Sequence, residues 1–249
     1  MKNDERREKI YDMLVREEKM SVNDIIRRVG DSPATIRRDL TFLEKNGYIL
    51  RTHGYAKYIQ PEIVHMKEFS ADKIAIARAA VKLVEEGDAL LLDSGFSTLA
   101  LAYQMVGMKN LSIVTNSIPV AHLYSTHGEI QTYLTGGFLR VREAALVGRE
   151  VEEYVSRIHV SKLFLSTTGV RGTEGLSCVT PFQAEVKRAF IRAADQVILL
   201  IEHGKFDIDA LMVFARFEEI DCIVTSEPIA SPDLATHLDK LGVKVIVAK

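Results

Sequence analysis

Apolar positions near the start of the chain recur at helical spacing. Ile10, Met13 and Leu14 mark a first helix over residues 4–17. Ser21 and Asp24 make a capping-box pattern ahead of Ile25, Ile26 and Val29, and this second helix stops at Gly30. Ser32-Pro33 pairs a preferred cap with proline at the first helical position and opens a third helix that runs to Asn46-Gly47. Its apolar face is Ile36, Leu40 and Leu43. At about 100° per residue, Ala34, Arg38 and Thr41 point away from that face, and Thr35 and Arg37 flank it. The period then shortens. Residues 48–52 read as a strand, His53-Gly54 as a turn and residues 55–59 as a return strand.

Beyond Pro61 a stretch without periodicity reads as a linker over 59–71. After it, strand-sized apolar runs alternate with amphipathic segments. Residues 72–86 read as a helix with Ile74, Ala77, Val81 and Val84 on one face. Strands are expected at 89–93, 111–115, 130–134, 162–166, 197–201, 222–225 and 243–247. Helices are expected at 97–106, after Asn116, and near 149–156, 181–194 and 233–241. This alternation predicts an α/β domain with a mainly parallel sheet over residues 72–249. Residues 1–58 read as a winged helix-turn-helix, a DNA-binding domain; the competing reading is a small helical interaction module with incidental basic residues.

Charge strengthens the first of these. The chain of 249 residues has a net charge of −2, yet residues 1–60 carry +3 and the remainder −5, with +4 concentrated in residues 27–58. A basic head on an acidic body suits a polyanion partner. The composition, 47% hydrophobic and 27% charged, excludes a disordered chain. No apolar run reaches the roughly 18 residues of a membrane helix, and the charged start does not resemble a signal peptide, so a cytoplasmic protein without membrane contact is expected. Two cysteines, Cys178 and Cys222, cannot build a disulfide framework or a four-ligand zinc site, and the seven histidines lack ligand spacing. No metal or cofactor is expected.

On the third helix, Arg37 and Arg38 have the donors for guanine edges or phosphates. Ala34 and Thr35 suit a thymine methyl, and Ser32 with the helix N-terminus suits a phosphate. Arg51, His53 and Lys57 fit a wing touching the DNA backbone or minor groove. Asp39 reads as a residue that orients an arginine. In the second domain, ligands of parallel sheets bind at the carboxyl ends of the strands. Five such ends carry polar and glycine-rich runs: 93–98 (DSGFST), 115–117 (TNS), Gly136-Gly137 with Arg140, Thr167-Thr168-Gly169 followed by Glu174, and 203–207 (HGKFD). The first, a glycine with hydroxyls ahead of a helix, suits a phosphate; by itself it is also an ordinary capped turn. No nucleotide-binding GxxxxGK[ST] occurs.

The run SPATIRRDLTFLEKNGYILRTHGYA, together with the strand-end motifs DSGFST, TNS and GGFLR and the terminal GKF, resembles the DeoR family of bacterial transcriptional regulators over nearly the whole chain. Tyr55 stands where members carry the second wing glycine, Gly204 where many carry serine, and Thr168 where many carry Asp or Asn. The resemblance implies that the third helix enters the major groove and that the second domain is ribose-5-phosphate-isomerase-like and senses a phosphorylated sugar or related metabolite. It further implies that Ser94, Gly95, Ser97 and Thr98 cradle the phosphate, with Phe96 on the ligand or anchoring the loop. Asp93 would take a sugar hydroxyl or a structural bond, and Lys205 and Arg140 would supply countercharge. Asn116, Ser117, Gly136, Gly137, Thr168, Gly169 and Glu174 would complete the site. Glu185 and Lys187 match an E-x-x-K segment at closer spacing, with surface exposure an equal alternative for Arg140 and Lys187.

Two function classes follow. The first is a sequence-specific DNA-binding regulator, a repressor of carbohydrate-metabolism genes whose operator affinity is set by a sugar phosphate. It is expected to act as a homodimer or homotetramer, because one winged helix reads too few base pairs. The second is a sugar-phosphate isomerase with an added N-terminal domain, in which Asp93, Glu174 and Lys205 would be the acid–base groups.

Overall fold

A computed structural model describes residues 3–45, 48–52, 54–58, 69–127 and 130–249. The chain divides into two compact units, 1–64 and 65–249. In the first, α1 (Asn3–Glu17), α2 (Val22–Val29) and α3 (Pro33–Lys45) are joined by three short strands, β1 (Lys19–Ser21), β2 (Ile49–Thr52) and β3 (Tyr55–Tyr58). The local signals behave as their chemistry requires. The Ser21 hydroxyl accepts the Asp24 amide at 3.0 Å, and Gly30, at φ 79°, returns its amide to Ile26. The Ser32 hydroxyl accepts the Thr35 amide at 3.1 Å. Ile10, Leu14, Ile25, Ile36, Leu40 and Ile49 form a core that excludes water.

One element escapes the periodicity. Strand β1 lies beside β3 in an antiparallel sheet of order β1-β3-β2. Three residues are too few for a recognisable alternation. Glu18, held at a left-handed φ of 58°, turns the chain from α1 into β1, and its carbonyl accepts the Tyr58 amide at 2.7 Å. The wing is therefore tied to the start of the helix-turn-helix as well as to its end.

The second unit opens with α4 (Ala71–Ala80), which passes at Val81 into a single 3-10 turn. Of the linker expected over 59–71, residues 59–68 lie outside the described residues. Phe69 is buried edge-on against Tyr103 and Ser70 caps α4, so the end of that stretch belongs to this unit. The expected long helix with Ile74 and Val81 inward is thereby corrected: the buried face of α4 is Lys73, Ile76, Ala77 and Ala80. A lysine took an inward position that an apolar search discards.

The remaining elements are β4 (Ala89–Leu92), α5 (Phe96–Gln104), β5 (Ser112–Thr115), α6 (Ile118–His127), β6 (Gln131–Leu134), β7 (Phe138–Arg140), β8 (Ala145–Val147), α7 (Arg149–Val155) and β9 (Val160–Ser166). They are followed by β10 (Gly169–Arg171), β11 (Gly175–Cys178), α8 (Pro181–Arg192), β12 (Ala194–Ile201), β13 (Met212–Ala215), β14 (Cys222–Thr225), α9 (Pro232–Leu241) and β15 (Lys244–Val247). Seven strands form one parallel sheet in the order β15-β14-β12-β9-β4-β5-β6. Chain order runs outward in both directions from the β4–β9 pair. This is a topological switch point, where the loops leaving the two central strands diverge and open a crevice. Strands β10, β11 and β13 form a small antiparallel sheet, and β7 and β8 a hairpin. The alternation pattern does not reveal these short strands, because Gly169, Gly175 and the polar 140–144 segment interrupt it.

Candidate functional site

The first unit presents the start of α3. Ala34, Arg37 and Arg38 are exposed, and among the described residues neither arginine forms an ion pair. Their guanidinium donors are uncommitted. Ser32 is exposed as well, but its hydroxyl serves the helix start and lies 2.8 Å from the hydroxyl of half-buried Thr35. Lys57 on β3 is exposed and has no partner among the described residues. His53 lies outside the described residues. Arg51 differs from expectation: it donates to the Thr41 hydroxyl at 2.8 Å and lies 3.6 Å from Glu44, while Thr41 donates to the Arg37 carbonyl at 2.8 Å. Its charge is engaged in bracing the wing against α3. Asp39 does orient arginines, though they come from α1: its buried carboxylate accepts from both Arg6 and Arg7. That contact raises the Arg6 pKa, its hydrogen bond to Asp39 being the largest cause.

In the second unit, Asp93 at the end of β4 is almost completely buried at the switch point. It accepts the Ser166 amide at 3.0 Å, the Ser166 hydroxyl and the Lys187 ammonium. Lys187, from α8, also donates to the Ser166 carbonyl at 2.9 Å. It is thus an interior residue, and the surface alternative is excluded. Gly95 sits so close to β9 that a Cβ there would lie 2.4 Å from the Ser166 side chain. Only glycine admits this approach of the loop to the neighbouring strand. Thr98, fully buried, accepts the Gly95 amide at 2.9 Å and donates back to the loop carbonyls. Its hydroxyl closes the turn and is not available to a ligand. Ser94 and Phe96 are half-buried, and Ser97 is buried at the first turn of α5. Unbonded amides of such a first turn form an anion seat.

Asn116 gives that seat a second polar wall. It is 1% exposed; its Nδ2 donates to the Leu146 carbonyl at 2.8 Å and stands 3.4 Å from the Ser94 hydroxyl, while its Oδ1 has no protein partner. A buried acceptor left unmet costs roughly 1–3 kcal/mol, so a ligand hydroxyl there would be rewarded. Ser117 is structural, its hydroxyl accepting the Val120 amide at the start of α6.

Lys205 follows β12 and is buried. It donates to the Thr167 carbonyl at 3.1 Å and lies 3.9 Å from Glu202. Glu202 accepts from Lys73 of α4 at 2.8 Å, and its other oxygen is buried without a hydrogen-bond partner. Burial above all, with help from Lys73 and Lys187, holds the Lys205 pKa down at about 8 against the opposing pull of Glu202 and Asp93. Three lysines thus face two carboxylates, leaving one positive charge in excess in a region of low dielectric. Sequence reasoning missed Lys73, Ser166 and Glu202, since nothing local distinguishes an inward lysine or a strand-end serine.

Among the described residues, no side-chain hydrogen bond or ion pair from Arg140, Glu174 or Thr168 reaches this cluster. Arg140 is bound in bidentate fashion by Glu143, at 3.1 and 3.2 Å, which cancels its countercharge. Glu174 is exposed in the β10–β11 turn. Gly136 and Gly137 adopt positive φ in the turn from β6 to β7, a backbone role. Gly169 opens β10 against the Ile208 carbonyl, and Thr168 is half-buried, its amide bonded to Ser177. Among the described residues no group of His, Cys, Asp and Glu could hold a metal ion, and no helix is long and apolar enough to cross a membrane.

Comparison with known proteins gives two domain matches. Residues 6–62 match the DeoR-like helix-turn-helix domain and residues 68–227 the DeoR C terminal sensor domain. The chain is 31% identical to the transcriptional repressor AccR of Agrobacterium fabrum, covering 98% of this chain and 97% of that protein. It is 31% identical to the HTH-type transcriptional repressor GlcR of Bacillus subtilis, covering 100% and 98%. The glycerol-3-phosphate regulon repressor of Escherichia coli K12 is 27% identical, with 92% of each chain covered. Among solved structures, ribose 5-phosphate isomerase A of Methanocaldococcus jannaschii aligns with 54% of this chain and 53% of its own, at 16% identity and a TM-score of 0.39.

Proposed function

The chain belongs to the DeoR family of transcriptional regulators, and from that premise we propose that it represses carbohydrate-metabolism genes under the control of a phosphorylated sugar bound at the β4–β9 switch point. It is a DNA-binding regulator rather than an enzyme. The family relatives are named as repressors, one of them of a glycerol-3-phosphate regulon, which supports a phosphorylated polyol as effector.

The observation that carries the reading is the pairing of surplus positive charge with unmet acceptors. Lys73, Lys187 and Lys205 outnumber Asp93 and Glu202, and the α5 N-terminus adds its amides. Asn116 Oδ1 and one Glu202 oxygen await donors. An anion with hydroxyl groups answers both needs; inorganic phosphate answers only the first, and a free sugar only the second. The acid–base roles of an isomerase have less support. Asp93 is neutralised by Lys187, and Glu174 stands exposed in a hairpin turn.

In this mechanism Arg37 and Arg38 read or grip the operator from the major groove, with Lys57 on its backbone. Two copies act together on paired half-sites. The effector binds the DNA-competent and incompetent states unequally and shifts their populations by that difference. Thermal unfolding with phosphorylated sugars, free sugars and inorganic phosphate tests the ligand class, because a ligand of the folded state alone raises Tm. A selective rise with one sugar phosphate, followed by an altered operator affinity in its presence, is the expected result. Equal shifts with inorganic phosphate and every sugar phosphate would refute it.

A further inference from the structure

The two edges of the seven-stranded sheet are guarded differently. Strand β15 begins with Lys244, a charge of the kind that discourages edge-to-edge pairing. Strand β6, at the other end, reads Gln131-Thr132-Tyr133-Leu134 and has no charge, no proline and no bulge. It pairs only with β5, so its outer backbone groups have no strand partner among the described residues.

The same region carries a run of exposed apolar side chains. Tyr133 and Leu134 are each 40% exposed, Leu139 45%, Val141 69% and Phe138 70%, all within nine residues. With aromatic side chains of about 200 Å², these five expose on the order of 400 Å² in total, Tyr133 and Leu134 on opposite faces of the sheet; a monomer's largest apolar patch is of this size and often functional. Doubled across a two-fold axis, the side chains alone supply about 800 Å² before backbone and neighbouring polar groups are counted, approaching the roughly 1,200–2,000 Å² of a stable interface.

We infer that the β6 edge and the β7–β8 hairpin form the contact between two copies of this chain. This rests on the dimeric reading above and specifies its surface. A second copy fits better than another partner because an edge strand is self-complementary. About a two-fold axis, β6 meets β6 of its mate antiparallel, each outer N–H finds a carbonyl, and the hairpin side chains meet their own equivalents. The hairpin is also bonded to the ligand wall: the Leu146 amide donates to the Asn116 carbonyl at 2.8 Å, and Asn116 Nδ2 donates to the Leu146 carbonyl. A change at Asn116 therefore reaches the contact through one pair of hydrogen bonds.

The test is light-scattering mass measurement of the full chain against dilution. The variants are Phe138→Glu with Val141→Glu, and Val245→Glu on the opposite edge as control. The expected result is a wild-type dimer, dissociation at least 100-fold easier in the double variant with its unfolding midpoint retained, and a control like wild type. Hydrogen exchange of wild-type residues 131–134 and 138–141 should also slow as protein concentration rises, a readout independent of any variant's folding. A wild-type dimer that the double variant leaves intact, or exchange there that ignores concentration, overturns this surface while the dimeric reading stands. A wild-type chain that stays monomeric at every concentration overturns both. A dimer broken by Val245→Glu assigns the contact to β15 instead.

Discussion

In the proposed site, Lys205 should make effector binding depend on pH, and the size of the effect follows from its surroundings. Its pKa is down at about 8, because burial disfavours the ammonium and Lys73 and Lys187 add to that, against Glu202 and Asp93. An anion seated beside it favours the charged form. If binding requires the ammonium, the affinity falls relative to pH 7 by a factor of about 2 at pH 8 and about 10 at pH 9. Ligand phosphate loses its second proton near pH 6, so the window above pH 7 isolates the lysine. Calorimetric titration in two buffers of different ionisation enthalpy should detect about half a proton taken up per ligand at pH 8 and almost one at pH 9. The ligand-free protein behaves in the opposite sense. The unfolded chain holds this proton to about pH 10.4, so between 8 and 10.4 the unfolded state binds more protons and stability rises with pH, by up to about 3 kcal/mol over the window. Lys205→Met should bind weakly and lose the pH dependence between 7 and 9. A flat affinity with no proton uptake, or a Met variant with the wild-type pH profile, would refute the assignment.

Other substitutions probe the remaining links. Gly95→Ala puts a methyl 2.4 Å from the Ser166 side chain; effector affinity should drop at least tenfold while effector-free operator affinity changes less than twofold, measured by titration and by fluorescence anisotropy. Asp39→Ala removes the buried carboxylate shared by Arg6 and Arg7, while Asp31 stays 3.3 Å from Arg6; weakening this buried cluster should cost up to about 3–5 kcal/mol, read by urea unfolding of the N-terminal transition. Arg51→Met and Lys57→Met separate a brace from a phosphate contact. Both should weaken operator binding, but only Lys57→Met should reduce the slope of log affinity against log salt, by about 0.9. A slope change of that size in Arg51→Met would return Arg51 to the DNA surface.

Much of the architecture is written locally. Caps at Ser21 and Ser32, the stop at Gly30 and the 3.6-residue stripe of Ile36, Leu40 and Leu43 act over a few residues, so they state both the helix and the face it buries. The outward side of α3, with Arg37 and Arg38, follows from the same geometry. Short apolar runs between amphipathic helices likewise announce a parallel sheet, since both of its faces are covered. Strand-end polar runs single out the carboxyl edge of that sheet.

What the sequence alone determined, then, is the winged helix, the α/β order and the polar rim on which the ligand site is proposed. The tertiary structure decided which polar side chains on that rim meet. Asp93 and Lys187 are 94 residues apart, and Lys73 reaches Glu202 across 129. Arg140 is withdrawn by a neighbour three residues away, Glu143, an outcome that depends on how the hairpin turns rather than on spacing. The physical reason is range. Propensity, capping and periodicity act within about one or two helical turns, whereas the charge balance of a buried site depends on which strands lie side by side. Here the crossover from β8 through α7 returns β9 to the flank of β4 and sets Ser166 beside Asp93; α8 then supplies Lys187, and β12, on the far side of β9, ends at Glu202 and Lys205.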